Sequence, residues 1–419
     1  MKMIESSIIT IGDEILYGQT IDTNSAFMAK QLETIGVAVK EIITVSDERQ
    51  SILDALDRSF SISDIVLVTG GLGPTQDDIT RNTLSEYFSS ELVINEVIAE
   101  KLESFYTSRG RAFGEVQLKM AYFPEAAEII MNPVGTAAAM YFREKNKVLV
   151  SMPGVPHEMK TIMTNSVIPK LSDSFKLPEL IHRYFYTAGR GESQLAEYIK
   201  EVENALPDHI KLAYLPGLGS VKLRLTAKGN DAKTLNKELD SISEQLNELI
   251  GRHIYSTDNE SHAFAVGQLL KERSLSLISA ESCTGGSIAK DITAVPGCSS
   301  YFLGGIVAYS NDLKVQLLSV SEKTIADYGA VSEQVVKQMV TGAIENYGAD
   351  IAVASSGIAG PTGGSDKKPV GLVYIGVGNK KEVVVKKFTF AVDRKKHVVL
   401  STMTALEMLR RFMLNTLKR

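Results

Sequence analysis

Residues 278–288 read ISAESCTGGSI, placing a hydroxyl, a thiol, a second hydroxyl and two glycines directly after an apolar run. Such a stretch has an ordinary use, because Ser and Thr satisfy main-chain groups in loops and Gly supplies dihedrals that other residues avoid. It also has a chemical one. LSLISA delivers the chain to Glu281 and Ser282 at a strand end, and Gly285 and Gly286 open the next helix. A serine at a strand-to-helix turn has the N–H groups of the following residues, Thr284 among them, available as an oxyanion hole for acyl transfer.

A serine nucleophile needs a base. His262, near a linker, and His397, inside DRKKHVV, are the histidines of this part of the chain, and neither falls at a strand end. VAYSNDLKVQLL offers a different partner: Tyr309 ends a strand, and Lys314 lies early in the helix after it. A lysine accepts a proton only when neutral, so burial or a neighbouring positive charge must lower its pKa. Tyr309 could relay a proton or orient the amine. On its own, Lys314 reads as readily as a solvated helix lysine. Cys283 is a rival nucleophile that lacks a histidine or a second cysteine beside it.

SSGIAGPTGGSDKKPVG (355–371) is the most glycine-rich loop of the chain and follows the strand pattern DIAVAS. Its main-chain N–H groups can wrap a phosphate, with Ser355 and Ser356 at the strand end and Thr362 in the loop as hydroxyl donors. Spacing alone takes these residues as far as a possible serine hydrolase.

A second set of polar turns lies in the first half. In open parallel sheets ligands bind outside the carboxyl ends of the strands, so turns after different strands converge. GDEIL carries Asp13 and Glu14, GGLGPTQDD carries Asp77 and Asp78, and PGVPHEM carries Glu158. Gly70, Gly71 and Gly73 admit an anion to the main chain, and a helix expected to start near Asp77 adds its positive end. Carboxylates beside a phosphate repel it unless a divalent cation stands between them, so a metal is implied. The plain alternative is that Asp77 and Asp78 cap a helix. No Lys-Ser/Thr pair follows the glycines, which excludes a Walker loop, and Gln76 occupies the place of the third glycine of a dinucleotide fingerprint.

These turns require parallel strands to position them. SSIITIG (6–12), SDIVLVTGG (63–71) and KVLVSMPG (147–154) are β-branched apolar runs ending in glycine-bearing turns, separated by helical patterns at 23–36, with Gly36 as its stop, and 80–88. Residues 171–255 alternate instead, in HRYFYTAG and SVKLRLTAKG, around an amphipathic AKTLNKELDSISEQLNELIG. After a polar linker at 256–261, strand patterns at 275–280, 304–310, 350–357 and 371–378 interleave with helical ones at 285–294, 312–318, 332–347 and 395–414. The expected class is α/β: two α/β layered domains (1–170 and 260–419) joined by a small α+β domain (171–255).

Composition excludes several classes. With 44% apolar and 23% charged residues the chain is neither disordered nor fibrous. A net charge of −5 gives no footprint for nucleic acid or an anionic membrane. Two cysteines cannot build a disulfide framework, no charged leader or spanning run is present, and a cytoplasmic location is expected.

GDEIL, TNSAFMAKQL, GGLGPTQDD, NPVGTA and PGVPHEM together resemble the molybdopterin-binding fold as it occurs in the N-terminal domain of the CinA family, over about residues 4–165. AESCTGG, AYSNDLK and SGIAGPTGGSDKKPVG resemble that family's C-terminal domain, over about 260–412. The first resemblance implies an ADP-ribose pyrophosphatase that uses a divalent cation of the Mg, Mn or Co class. Its ligands would be Asp13, Asp77, Asp78 and Glu158, with substrate against Gly71, Gly73, Thr75, Gly135 and Thr136. The second implies a nicotinamide mononucleotide amidohydrolase without a cofactor. Ser282 would be its nucleophile and Tyr309 and Lys314 the activating partners, with substrate against Thr284, Gly285, Gly286, Ser356, Gly357, Gly360, Thr362, Gly363 and Gly364.

The family would then be a homodimeric enzyme of pyridine-nucleotide salvage that contacts neither nucleic acid nor membrane. Two rivals stay open: a pterin-binding or cofactor-transfer protein, and a competence-associated nucleic-acid-binding protein. For the latter, YLPGLGSVKLRL suggests the GxxG loop of a KH module, but that loop should lie between helices, whereas this turn runs into a strand. Residues 182–251 carry nine basic and ten acidic side chains, so a spacer or dimer-contact role is expected. Arg190 in GRGESQLAEYI could reach the first site, although a surface turn arginine is the ordinary reading.

Overall fold

The computed structural model describes residues 4–75 and 77–417, so Gln76, and with it the fingerprint position, lies outside the described residues. Two compact units emerge: residues up to 181 together with 228–235, and 182–227 together with 236 onward.

The first unit is built on a six-stranded sheet in the order Ala38–Val45, Glu5–Ile11, Ile65–Thr69, Lys147–Met152, Ala139–Glu144, Glu128–Ile130. The first four strands run parallel, as the continuous apolar runs predict, and the last two are antiparallel additions at one edge. Ile65–Thr69 is buried along its whole length because helices cover both faces of the sheet. Helix Asn24–Thr34 stops where expected, at Gly36 with φ +74°. Helix Thr80–Tyr87 begins later than the sequence suggested. Asp78 is used inside the preceding loop and so does not cap it.

In the second unit, the strands Ile210–Gly217, Ser220–Gly229, Glu179–Ala188 and Ile254–Ser256 form a four-stranded sheet in that order. Helices Glu192–Asn204 and Ala232–Ile250 accompany it. A five-stranded sheet follows in the order Phe302–Val307, Leu277–Glu281, Ile351–Gly357, Leu372–Asn379, Val383–Thr389. Its first three strands are parallel, so the turns after Val307, Glu281 and Gly357 emerge at one edge. Side-chain caps set the helices at that edge: Ser310 accepts from Leu313 N, Ser332 from Val335 N and Asp393 from Lys396 N. Two apolar clusters occupy opposite faces of this sheet, one of them packed under helix Arg394–Met413.

Among the described residues no helix is long and apolar enough to cross a membrane.

Candidate active sites

Ser282 leaves strand Leu277–Glu281 with its N–H donated to Ser355 O at 3.0 Å, which ties the turn to the neighbouring strand. Glu281, one residue earlier, is fully buried. Its carboxylate accepts from the N–H groups of Gly286 (3.0 Å), Ile288 (3.0 Å) and Ala289 (2.8 Å) and from Thr284 Oγ1 (2.8 Å). An anion held by the first N–H groups of helix Ser287–Thr293 satisfies donors that have no partner within the helix. Thr284 Oγ1 also meets Ser355 Oγ at 2.7 Å. Gly286 makes the turn possible, with φ +94°, a region open to glycine.

The N–H of Gly285 is used by Ser282 O and that of Gly286 by Glu281. Among the described residues the N–H of Thr284 finds no such acceptor, and that of Cys283 meets only its own sulfur. These two are the donors an oxyanion beside Ser282 Oγ would meet.

Lys314 enters from helix Asn311–Leu318 and is 1% exposed. Its Nζ lies 3.1 Å from Ser282 Oγ, 2.9 Å from Ala308 O and 3.1 Å from Tyr309 O. Ser310 O lies further off, at 3.5 Å, so three carbonyls and one hydroxyl surround the amine; in its neutral form two N–H donors can meet carbonyls while the lone pair faces the Ser282 hydroxyl. Burial holds its pKa below the ordinary lysine value, the direction that favours the base form.

Tyr309 acts on Lys314 through its main-chain carbonyl. Its phenol is exposed and accepts from Arg394 Nη2 at 2.9 Å. Arg394 also donates to Gly360 O at 2.9 Å, linking helix Arg394–Met413 to the glycine-rich loop. Sequence reasoning missed this arginine, hidden in a basic run.

Ser355 is spent on Thr284, and Ser356 donates to Ala330 O at 2.9 Å, so both serve the scaffold. Gly357 passes close to the turn: a Cβ there would stand 3.0 Å from Cys283 Sγ. Gly360, at φ +80°, and Gly363, at φ +89°, bend the loop, while Thr362 and Gly364 stay exposed. Burial pushes the Cys283 thiol up to about 12, which keeps it protonated. His262 bonds Glu407 at 3.1 Å and His397 bonds Gly371 O at 3.2 Å, so neither reaches the serine.

In the first unit the turns after Ile11, Thr69 and Met152 share one sheet edge. Asn24 Nδ2 bridges Thr69 Oγ1 (3.2 Å) and Gly154 O (2.8 Å), fixing two of them. Asp78 closes the glycine loop on itself, accepting from Gly73 N at 2.7 Å, Thr75 N at 2.9 Å and Thr75 Oγ1. A Cβ on Gly73 would lie 2.4 Å from the Asp78 carboxylate, so a side chain there would displace it. Arg81, which sequence reasoning did not single out, is buried and holds Leu72 O, Gly73 O and Lys119 O. Glu158 accepts from Asn132 Nδ2 at 2.6 Å and packs on Gly135, where a Cβ would lie 2.2 Å from its carboxyl carbon. A cavity of about 690 Å³ opens beside Gly73, Thr75, Asp78, Arg81 and Lys119. Gly71 and Gly70 adjoin it in the chain, whereas Thr136 lines a separate, much smaller crevice with Asn132 and Lys101.

The structure therefore does not join Asp13, Asp77, Asp78 and Glu158 into one ligand set, and among the described residues no group of three or more His, Cys, Asp or Glu is placed to hold an ion. Asp78 and Glu158 are turned to neighbouring donors. Asp77 is turned to Thr75, and Asp13 stands beside Asp47, whose Oδ2 accepts from Asp13 N at 3.0 Å. Burial pushes the Asp47 carboxyl up, the Asp13 N–H pulls it down, and the charges of Asp13, Glu14 and Asp77 push it up again. Asp13 and Asp47 offer hard oxygen donors, the type a Mg-class ion takes, but no three of these acids close on one point. Arg190 belongs to the second unit, as part of a separate cavity.

Three profiles match this chain: a probable molybdopterin binding domain over residues 7–173, the damage-inducible protein CinA KH domain over 182–256, and the CinA C-terminal domain over 259–413. The middle match corrects the setting aside of a KH module. The turn at 217–219 is the tip of an antiparallel hairpin, as read from the sequence, but the resemblance lies in the whole segment. A CinA-like protein from Cytophaga hutchinsonii is 41% identical over 97% of this chain and 98% of its own length. One from Flavobacterium psychrophilum is 42% identical with the same coverages. A CinA superfamily protein from Klebsiella pneumoniae 700603, solved by crystallography, is 33% identical over 37% of this chain and 96% of its own, with a TM-score of 0.36.

Proposed function

The chain belongs to the CinA family, and from that premise we propose that it is a two-activity hydrolase of pyridine nucleotides. One centre releases ammonia from nicotinamide mononucleotide and the other splits the pyrophosphate of ADP-ribose. The observation that carries the amidase is the buried Lys314 amine 3.1 Å from Ser282 Oγ.

Ser282 Oγ attacks the carboxamide carbon while its proton passes to Lys314 Nζ. The resulting oxyanion takes the N–H groups of Cys283 and Thr284. Lys314 returns the proton to the leaving nitrogen, and ammonia departs from an acyl-serine. Water, deprotonated by the same amine, then releases nicotinate mononucleotide. The loop 357–364 holds the substrate phosphate, with Arg394 fixing its position through Gly360 O.

In the first unit the substrate lies in the cavity beside Gly73 and Thr75. A divalent cation of the Mg, Mn or Co class, when bound, offsets the charge between pyrophosphate and the Asp13, Asp47 and Asp77 cluster. The chain's own part is to keep the loop rigid, Asp78 holding the Gly73 and Thr75 N–H groups and Arg81 the Leu72 and Gly73 carbonyls. A cytoplasmic homodimer is the form proposed for the active protein.

The description of the 7–173 profile favours a second reading, in which the first domain binds a pterin and hydrolyses nothing. Ammonia release from nicotinamide mononucleotide and AMP release from ADP-ribose, each with and without chelator, test both. AMP release abolished by chelation supports the pyrophosphatase, and its absence under every metal supports the pterin. Failure to release ammonia removes the amidase.

A further inference from the structure

The four-stranded sheet of the middle segment has a face that neither activity uses. Its elements follow in the order strand, helix, strand, strand, helix, strand, and the first and third strands, Glu179–Ala188 and Ser220–Gly229, lie at the centre of the sheet. Successive residues of a strand point to opposite faces. Phe185, Thr187, Val221, Leu223 and Leu225 are buried on one of them. On that side Arg183 reaches Asn236 of helix Ala232–Ile250 and Tyr214 reaches Glu203 of helix Glu192–Asn204, so the helices cover it.

The other face carries rings and cations. His182, Tyr184 and Tyr186 of the first strand and Tyr255 of the edge strand form a row with centroids 5.9, 6.4 and 6.2 Å apart, each ring half-buried and tilted against the next. Tyr186 Oη donates to Asn259 Oδ1 at 2.5 Å, which holds that ring in place. The Lys222 ammonium, from the third strand, lies 5.2 Å from the Tyr184 ring and 5.7 Å from that of Tyr186. On the neighbouring strand Leu215 stands opposite Lys222, and Lys211 opposite Thr226, both exposed. Arg224 shares this face and already has a partner, whereas Lys211 and Lys222 enter no ion pair among the described residues. All ten acids of residues 182–251 sit in helices or loops, so the balanced charge of the segment conceals a face whose charge has one sign.

We propose that this face binds single-stranded nucleic acid, with about two or three bases against the Tyr184, Tyr186 and Tyr255 rings and the phosphates beside Lys222 and Lys211. Rings on the middle strands of a sheet take unstacked bases, and cations next to them take the backbone. A duplex keeps its bases stacked inside and cannot use the rings. The two helices of the segment are separated by a hairpin, so the helix-to-helix loop by which KH modules clamp a strand is not among its elements, and the sheet face is a different surface.

Fluorescein-labelled RNA and DNA strands of about 12 nucleotides, and duplexes of the same sequences, titrated with full-length protein and read by anisotropy, test this. The expected result is saturable binding of a single strand, RNA or DNA, at least tenfold tighter than of its duplex and unchanged by saturating ADP-ribose. Tyr184→Leu and Tyr186→Leu together should weaken it at least tenfold, with the thermal melt as the check on folding. Lys222→Gln, a milder change, should reduce the slope of log affinity against log salt by about 0.7. Absence of binding, equal affinity for strand and duplex, wild-type affinity in the folded tyrosine variant, or a wild-type salt slope in Lys222→Gln would each overturn the proposal. Displacement of the strand by ADP-ribose would place it in the first unit and overturn the proposal too, leaving the pyrophosphatase reading intact.

Discussion

Lys314 is the residue on which the amidase turns, and its protonation gives the sharpest test. Lys314→Arg should be nearly as damaging as Lys314→Ala, about 10²–10⁴-fold in kcat, because a guanidinium stays protonated and cannot accept the serine proton. In the wild type, ammonia release should fall as pH drops through the lowered lysine pKa, since the protonated amine is no base. The same shift has a stability consequence. The unfolded chain binds this proton more tightly, so stability rises with pH between the folded pKa and the ordinary value of 10.5. A pH–kcat/KM profile with no acid limb assigned to Lys314 would refute the base. Ser282→Ala should abolish turnover while Cys283→Ala keeps most of it, because a thiol pushed up to about 12 is not a thiolate at neutral pH. Loss of activity in Cys283→Ala alone would reverse that assignment. At this scale Ser282 and Lys314 were legible because their residue types announce chemistry. Arg394 and Asp47 were not, since a lysine-rich run and a loop aspartate look like solvated surface until the fold sets them beside Gly360 and Asp13.

Elements, not single contacts, place these groups, and two substitutions probe that directly. Gly342 lies in helix Glu333–Tyr347 with its Cα against the end of the Lys314 helix, where a Cβ would stand 1.8 Å from Leu318 O. Gly342→Ala must push the two helices apart, with an expected loss of at least about 1–3 kcal/mol and a fall in kcat as Lys314 moves. A thermal melt and ammonia assay indistinguishable from wild type would show that the helix contact is looser than the geometry implies. Glu281→Gln keeps the shape of the cap but replaces an acceptor oxygen by a donor, facing main-chain N–H groups that need acceptors. About 1–3 kcal/mol should be lost, visible as a lower denaturant midpoint at unchanged m. Period and run length made the parallel strands readable, and glycines marked their turns. Strand Val383–Thr389 escaped because it is the sheet edge, with Lys386 and Lys387 interrupting its apolar pattern as edge strands commonly do. The glycine loop before Thr80 was legible as a turn. Its inward-facing Asp78 was not, since a capping aspartate and a loop-closing one have the same sequence signature.

For the whole molecule, the polar linker at 256–261 reads as a place to cut, yet contacts cross it. Arg410, 4% exposed in the last helix, donates to Arg252 O at 2.5 Å and Ile254 O at 3.2 Å, and Tyr255 stacks on His262 with centroids 4.5 Å apart. Arg410 also holds Glu407, which holds His262, so one buried charged chain spans both sides of the linker. A fragment of residues 260–419 retains Ser282, Lys314, Arg394 and the loop 357–364, and should fold and release ammonia from nicotinamide mononucleotide. It loses both carbonyl partners of Arg410, and water replaces them only by opening the helix–strand junction. Compared with a fragment of residues 182–419 it should be less stable by ~2–3 kcal/mol, or roughly 4–12 °C in Tm. The sequence could not show this, because the acceptors are main-chain carbonyls that leave no mark on residue type. Calorimetry on the two fragments, with ammonia assays on both, separates the possibilities. Equal melting temperatures would mean the charged chain adds nothing across the linker, and a folded but inactive 260–419 would mean that the amidase centre borrows a group from residues before 260.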